Sequence, residues 1–149
     1  MEQCGTTNVS FNEKYFLIKK NMKKPINKED HIIVDYTYAA IVPLLPELIG
    51  FENSQAAKYT CRILGAGALA YTLFTKAKRT PFSLIPFKAH LFIDVTVSLL
   101  AIATPWLSRF ARNTDARNTL FGVGLSGLTA GLLTDADKKP ATEDLPLFI

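Results

Sequence analysis

Shifting the chain by 59 residues lays residues 31–75 over residues 90–134 without a gap. Twelve of the 45 aligned positions are identical: His31/His90, Asp35/Asp94, Thr37/Thr96, Pro46/Pro105, Leu48/Leu107, Phe51/Phe110, Ala57/Ala116, Thr60/Thr119, Gly65/Gly124, Leu69/Leu128, Leu73/Leu132 and Thr75/Thr134. Chance at ordinary composition gives about 3. Duplication is the economical explanation, and it constrains the fold strongly, because whatever one copy forms the other is expected to form too. The copies open on HIIVDYT and HLFIDVT, which hold both histidines of the chain, each four residues ahead of an aspartate.

Each copy reads as a helix from histidine to phenylalanine, a short polar turn, and a second helix that ends at the shared threonine. Four helices are predicted. Asn27, Glu29 and Asp30 supply a cap and negative charge at the first start, and Ser83 and Pro86 suit the opening of the third helix. Between the charged stretches lie uncharged runs from Tyr36 to Pro46, Ile63 to Thr75, Val95 to Ser108 and Asn118 to Thr134. Runs of this length also suit soluble core helices. However, NTLFGVGLSGLTAGLLT, residues 118–134, offers no polar face to water. The stretch from Lys58 through Lys76 is 19 residues, about 28 Å of helix, and the two long side chains can reach the interfaces of a bilayer.

The expected fold is therefore all-α, a four-transmembrane-helix bundle. Its organisation is a polar basic tail (1–30), a first two-helix repeat (31–75), a basic loop (76–89), a second repeat (90–134) and a polar tail (135–149). A four-span chain places both tails and the loop on one side, which carries 12 Lys/Arg against five on the other. By the positive-inside rule both termini are cytoplasmic, as in a multi-pass protein of the plasma membrane. Two spans per repeat make the copies parallel, related by a pseudo-twofold axis along the membrane normal. The polar start offers no signal-peptide core, so the first span is expected to direct insertion. The leading lysines 14, 19, 20, 23, 24 and 28 are interleaved with Phe11, Tyr15 and Phe16 and suit a membrane flank. Cys4 and Cys61 form no metal spacing and no disulfide framework, and both read as free thiols.

ATPWLSRF, residues 103–110, followed by a turn and the Gly-rich FGVGLSGLTAGLLT, resembles the SPW-repeat membrane protein family. That family's unit is two transmembrane helices with Ser-Pro-Trp in the first, and Thr104, Pro105 and Trp106 stand where the motif would stand. The first copy has Leu45, Pro46 and Glu47 there. The resemblance covers about 90 residues through the two repeats; it implies an integral membrane protein of uncharacterised activity and carries no mechanism.

Helical spacing groups Asp35, Ala39, Val42 and Pro46 on one face, and Asp94, Ser98, Ala101 and Pro105 on another. Both stripes run from a carboxylate past small residues to proline, so helices one and three are expected to pack closely near the axis. Intramembrane carboxylates need partners. If the copies converge, His31, Asp35, His90 and Asp94 form a two-histidine, two-carboxylate candidate site for a divalent metal or a proton relay. The plainer reading bonds each histidine to its own aspartate at i+4, with Thr37 and Thr96 bonding back to the helix. Pro46 and Pro105 are predicted kinks. Arg62 is expected to pair with Glu47 or Glu52. The helical glycines fit close packing, with Gly127 and Gly131 as a small-xxx-small pair, and no phosphate-loop lysine follows them.

No nucleophile–base motif and no cofactor motif is present, so an enzyme has little support and no catalytic residue is assigned. A small membrane scaffold or interaction module is the first expectation. Its partners are the lipid bilayer and a protein partner or a second copy of the chain, with no nucleic acid. The alternative is proton- or metal-linked transport or sensing through the His/Asp cluster. A membrane enzyme acting on a lipid or quinone ranks third, because it requires a polar pocket at membrane level.

Overall fold

The computed structural model describes residues 24–137. The aromatic, basic stretch before residue 24, Cys4 and the tail beyond residue 137 lie outside these. The described chain is all-helical apart from short pairings at its ends. Helix α1 (Lys28–Ile49) opens on Asn27, whose side chain accepts from the amides of Glu29 and Asp30. It runs as α-helix to Ile41, tightens into a 3-10 turn at Val42–Leu44, and resumes over Leu45–Ile49. Pro43 and Pro46 both lack an amide hydrogen. The carbonyl of Val42, which Pro46 cannot serve, accepts instead from the Leu45 amide.

Helix α2 spans Gln55–Leu73, α3 spans Phe87–Leu107 and α4 spans Thr114–Leu133. Pro86 stands at the start of α3, and Asn113 caps α4 by accepting from the Ala116 amide. Pro105 sits within α3 without breaking it, so the 3-10 interruption belongs to α1 alone, where Pro43 is added. Both first helices end in the same turn. Gly50 has φ 92° and the Phe51 amide donates to the Pro46 carbonyl at 2.9 Å; Arg109 has φ 59° and the Phe110 amide donates to the Pro105 carbonyl at 3.0 Å.

A two-residue strand β1 (Ile26–Asn27) pairs in parallel with β2 (Thr134–Asp135), placing Ile26 opposite Thr134. Ile85 bridges Thr75 in the same sense. The segment before α1 is thus tied to the end of α4, and the segment before α3 to the end of α2.

The closest backbone approaches lie within each helical hairpin. A Cβ on Gly65 of α2 would stand 2.2 Å from Pro43 Cγ, and one on Gly124 of α4 would stand 2.6 Å from the Ser98 carbonyl oxygen. The small-residue stripe of α3 therefore serves α4, contrary to the expectation that it brings α3 against α1. The glycines decide this, since only where Cβ is missing can two backbones come so near. Helices α1 and α3 meet through longer side chains instead.

The interior has two parts. Near the turns, Val42, Phe51, Cys61, Phe110, Leu120 and Val123 form an apolar core. Toward the opposite end the buried residues include the polar His31, Asp35, Thr72, Thr75, His90, Asp94 and Thr134, beside Ile32 and Phe87. The exterior is apolar: Leu48, Ile63 and Leu107 are each 70% exposed and Phe92 72%. Helices α1 and α3 are long and apolar enough to cross a membrane.

The packing makes a paired prediction. Gly65→Ala drives a methyl into Pro43 and should cost about 1–3 kcal/mol, the usual penalty of overpacking. Gly67→Ala, with nothing within 4 Å of the new Cβ, should leave stability unchanged or raise it. Unfolding of both variants in detergent, followed by circular dichroism, checks this, and equal behaviour would contradict the packing described.

Candidate metal centre

One helical turn separates His31 from Asp35 on α1, and the same spacing separates His90 from Asp94 on α3, so each pair projects from one face. The two faces converge. His31 Nε2 lies 2.9 Å from Asp94 Oδ2, and His90 Nε2 lies 2.8 Å from Asp35 Oδ2. Within each helix the corresponding distances are longer, 3.5 Å for His31 to Asp35 and 3.2 Å for His90 to Asp94. Each histidine thus favours the other helix's aspartate over its own i+4 neighbour. All four residues are buried, and one ligand atom from each lies within 4.8 Å of the others.

The other nitrogen of each ring is anchored. His31 Nδ1 is 2.7 Å from the Thr134 hydroxyl and His90 Nδ1 is 2.8 Å from the Thr75 hydroxyl. Each hydroxyl has a single hydrogen, which it donates to its own helix: Thr134 to the Ala130 carbonyl at 2.6 Å, Thr75 to the Tyr71 carbonyl at 2.8 Å. The oxygen is left only lone pairs for the imidazole, so each Nδ1 is the protonated donor. Nε2 then faces the carboxylates. A neutral ring would set its Nε2 lone pair against carboxylate lone pairs, and such an approach is favourable only with a proton or a cation in between.

The carboxylates are supported unequally. Asp94 Oδ1 accepts from the Tyr71 hydroxyl at 2.6 Å, leaving Oδ2 to face both histidines. Asp35 receives only a long contact from Thr72, 3.5 Å. Phe87 covers the cluster at the helix-start end, stacked on His90 at 5.5 Å and edge-on to His31 at 5.7 Å. Lys28 Nζ lies 5.2 Å from the centroid of the Phe87 ring.

The remaining predicted positions stand apart from this centre. Thr37 and Thr96 donate back to the carbonyls of Ile33 and Phe92 and are exposed. Pro46 and Pro105 lie near the far ends of α1 and α3. Thr104 bonds the Leu100 carbonyl, and Trp106 is exposed near the end of α3. Arg62 pairs with Glu47 at 2.9 Å.

Sequence reasoning left out Tyr71, Phe87 and the two threonines that set the tautomers. For Thr75 and Thr134 a signal existed, since they form the last identity of the 59-residue offset. For Tyr71 there was none, because its counterpart at that offset is Ala130.

No protein-family model, curated protein or solved structure matches the chain.

Thr75→Val keeps the shape of the side chain and removes the acceptor. The buried Nδ1–H of His90 is then unpaired, at an expected cost of about 1–3 kcal/mol, while Thr75→Ser should stay near wild type. Unfolding midpoints in detergent measure both; a valine variant as stable as the serine variant would refute the anchoring.

Proposed function

We propose that this protein is a four-span membrane protein that holds one divalent metal ion between His31, Asp35, His90 and Asp94, and that the ion serves a sensing role in the bilayer. The observation that carries this reading is the anchored pair of rings. With both Nδ1 atoms committed to threonine hydroxyls, two imidazole lone pairs and two carboxylates point at one small volume. Histidines that ligate metals commonly donate their other ring N–H to a fixed acceptor in this manner. The three separations that share Asp35 Oδ2 or Asp94 Oδ2, 2.8 to 3.2 Å, lie near the edge of about 3.3 Å that metal–ligand bonds of 2.0–2.1 Å define in a tetrahedron, and the whole set lies within 4.8 Å. Two nitrogens and two carboxylate oxygens suit a zinc-like ion. A sensing ion fits better than a transported one, because Phe87 covers one end of the cluster and the apolar core the other.

The spanning topology draws its support from the apolar exterior and from the length of the helices. The second helices, 19 and 20 residues long, reach about 28–30 Å, close to the hydrocarbon thickness of a bilayer. A pseudo-twofold arrangement of two parallel repeats, resembling the SPW-repeat unit, accounts for the reciprocal pairings His31–Asp94 with His90–Asp35 and Thr134 with Thr75. The basic loop and both tails belong on the cytoplasmic side in this reading.

The full-length protein, purified in detergent and dialysed against Zn²⁺ or Co²⁺, should retain one ion per chain. Asp35→Asn and His90→Ala should each abolish retention. A folded wild-type protein that takes up no ion, or variants that bind as well as wild type, would overturn the proposal. Topology is tested separately: cysteines placed at positions 78 and 112 should be labelled from the cytoplasmic and the outer side respectively, and labelling of both from one side would refute four spans. Replacing all four cluster residues also separates this reading from the scaffold, since a scaffold would keep its partners without the ion.

A further inference from the structure

The cluster is closed unevenly. Phe87 covers it at the helix-start end, and at the other end Val42, Cys61, Leu120 and Val123 form the apolar core, with Tyr38 and Leu64 packed against it. Between them lies a cavity of about 60 Å³ that reaches His31, Asp35 and Asp94 and is walled further on by Tyr38, Ser98 and Ser126. It has room for about two water-sized groups.

Two of its hydroxyls have no hydrogen-bond partner among the described residues. One is Ser98, only 5% exposed, and the other is Tyr38. Both hydroxyls border the cavity, so a ligand seated there can supply the partner that each lacks. Ser98 fits there because Gly127 opposite has no Cβ, which would stand 2.5 Å from Ser98 Oγ. The space lies where the two copies meet, since both members of Asp35/Asp94, Tyr38/Val97, Ala68/Gly127 and Tyr71/Ala130 line it, but its wall is uneven. At the 59-residue offset Ser98 corresponds to Ala39, Tyr38 to Val97, and Ala130, on the cavity wall, to Tyr71.

The cavity adjoins a groove on its side. Val34, Tyr38 and Ser126 also line this groove, which measures about 330 Å³ and lies between α1 and α4. The rest of that groove is Ile33, Thr37, Ile41, Val42, Leu45 and Val123, with no charged side chain. It lies on the apolar exterior, where Ile33, Val34 and Ile41 are exposed.

We infer that the cavity binds the head group of a lipid-phase molecule, an uncharged oxygen such as a carbonyl or hydroxyl, with its single apolar chain lying in the α1/α4 groove. Ser98 or Tyr38 donates to one lone pair of that oxygen, and its other lone pair faces the ion. This rests on the metal reading above in one respect: two carboxylates and one divalent ion sum to zero charge, so neither an anionic nor a cationic head group gains a counter-charge.

The test uses full-length protein in phosphatidylcholine nanodiscs, loaded with Co²⁺ and titrated with a long-chain methyl ketone, the matching carboxylate and ammonium, and acetone. The ketone should shift the visible Co²⁺ bands saturably. Val34→Phe, which narrows the opening without touching a ligand, should weaken that response by about tenfold or more while Co²⁺ stoichiometry holds. An equal response to acetone, a stronger one to either charged chain, or no effect of Val34→Phe would overturn the inference. A diazirine-bearing ketone gives a readout that needs no metal. If Co²⁺ does not bind, the metal reading fails alone; crosslinks at Tyr38 or Ser126 that Val34→Phe removes then support the lateral site, and their absence refutes it.

Discussion

Two threonine hydroxyls, each spending its one hydrogen on a helix carbonyl, govern the buried end of this molecule. Thr75 and Thr134 thereby become pure acceptors for the imidazoles of His90 and His31. From that follow the tautomers, the direction of both Nε2 atoms, and the need for positive charge among four lone-pair groups. The arrangement also ties the fold together. His31 on α1 needs Thr134 at the end of α4 and Asp94 on α3, while His90 on α3 needs Thr75 after α2 and Asp35 on α1. Displacing any one helix strands a buried polar group, and each stranded group costs roughly 1–3 kcal/mol.

The pairing of short strands reinforces the same geometry. Ile26 against Thr134 and Ile85 against Thr75 fix the two threonines at the level of the histidines; Ile85 does so by bonding the residues on either side of Thr75, donating to the Phe74 carbonyl and accepting from the Lys76 amide. Glycine contacts set the rest. Gly65 and Gly124 let each hairpin close on itself, which leaves α1 and α3 at the separation that histidine and aspartate side chains span. A tighter α1/α3 contact would leave no room for the cluster or for the cavity beside it.

Much of the architecture was legible because it depends on local pattern. Asn27 caps α1 and Pro86 begins α3, both signals written within a few residues. The candidate site was legible in part. The spacing of His31 with Asp35 and of His90 with Asp94 put each pair on one helical face, and the 59-residue offset marked the pairs as equivalent. Pro43, one turn beyond Ala39 and against Gly65, was not singled out, although it helps to produce the 3-10 turn. Its effect needs the neighbouring helix as well as the missing amide.

The sequence by itself determined four helices, the cap at Asn27 and the start at Pro86, and which face of α1 and α3 carries the titratable groups, because these follow from periodicity and from backbone chemistry over a few residues. Only the tertiary structure decided that each histidine reaches across to the other helix's aspartate, that Tyr71 supports one carboxylate and not the other, and that a cavity lies beside the cluster. Those outcomes depend on distances between segments far apart in the chain, and such distances are set by close packing at glycines, which spacing along a single helix does not encode.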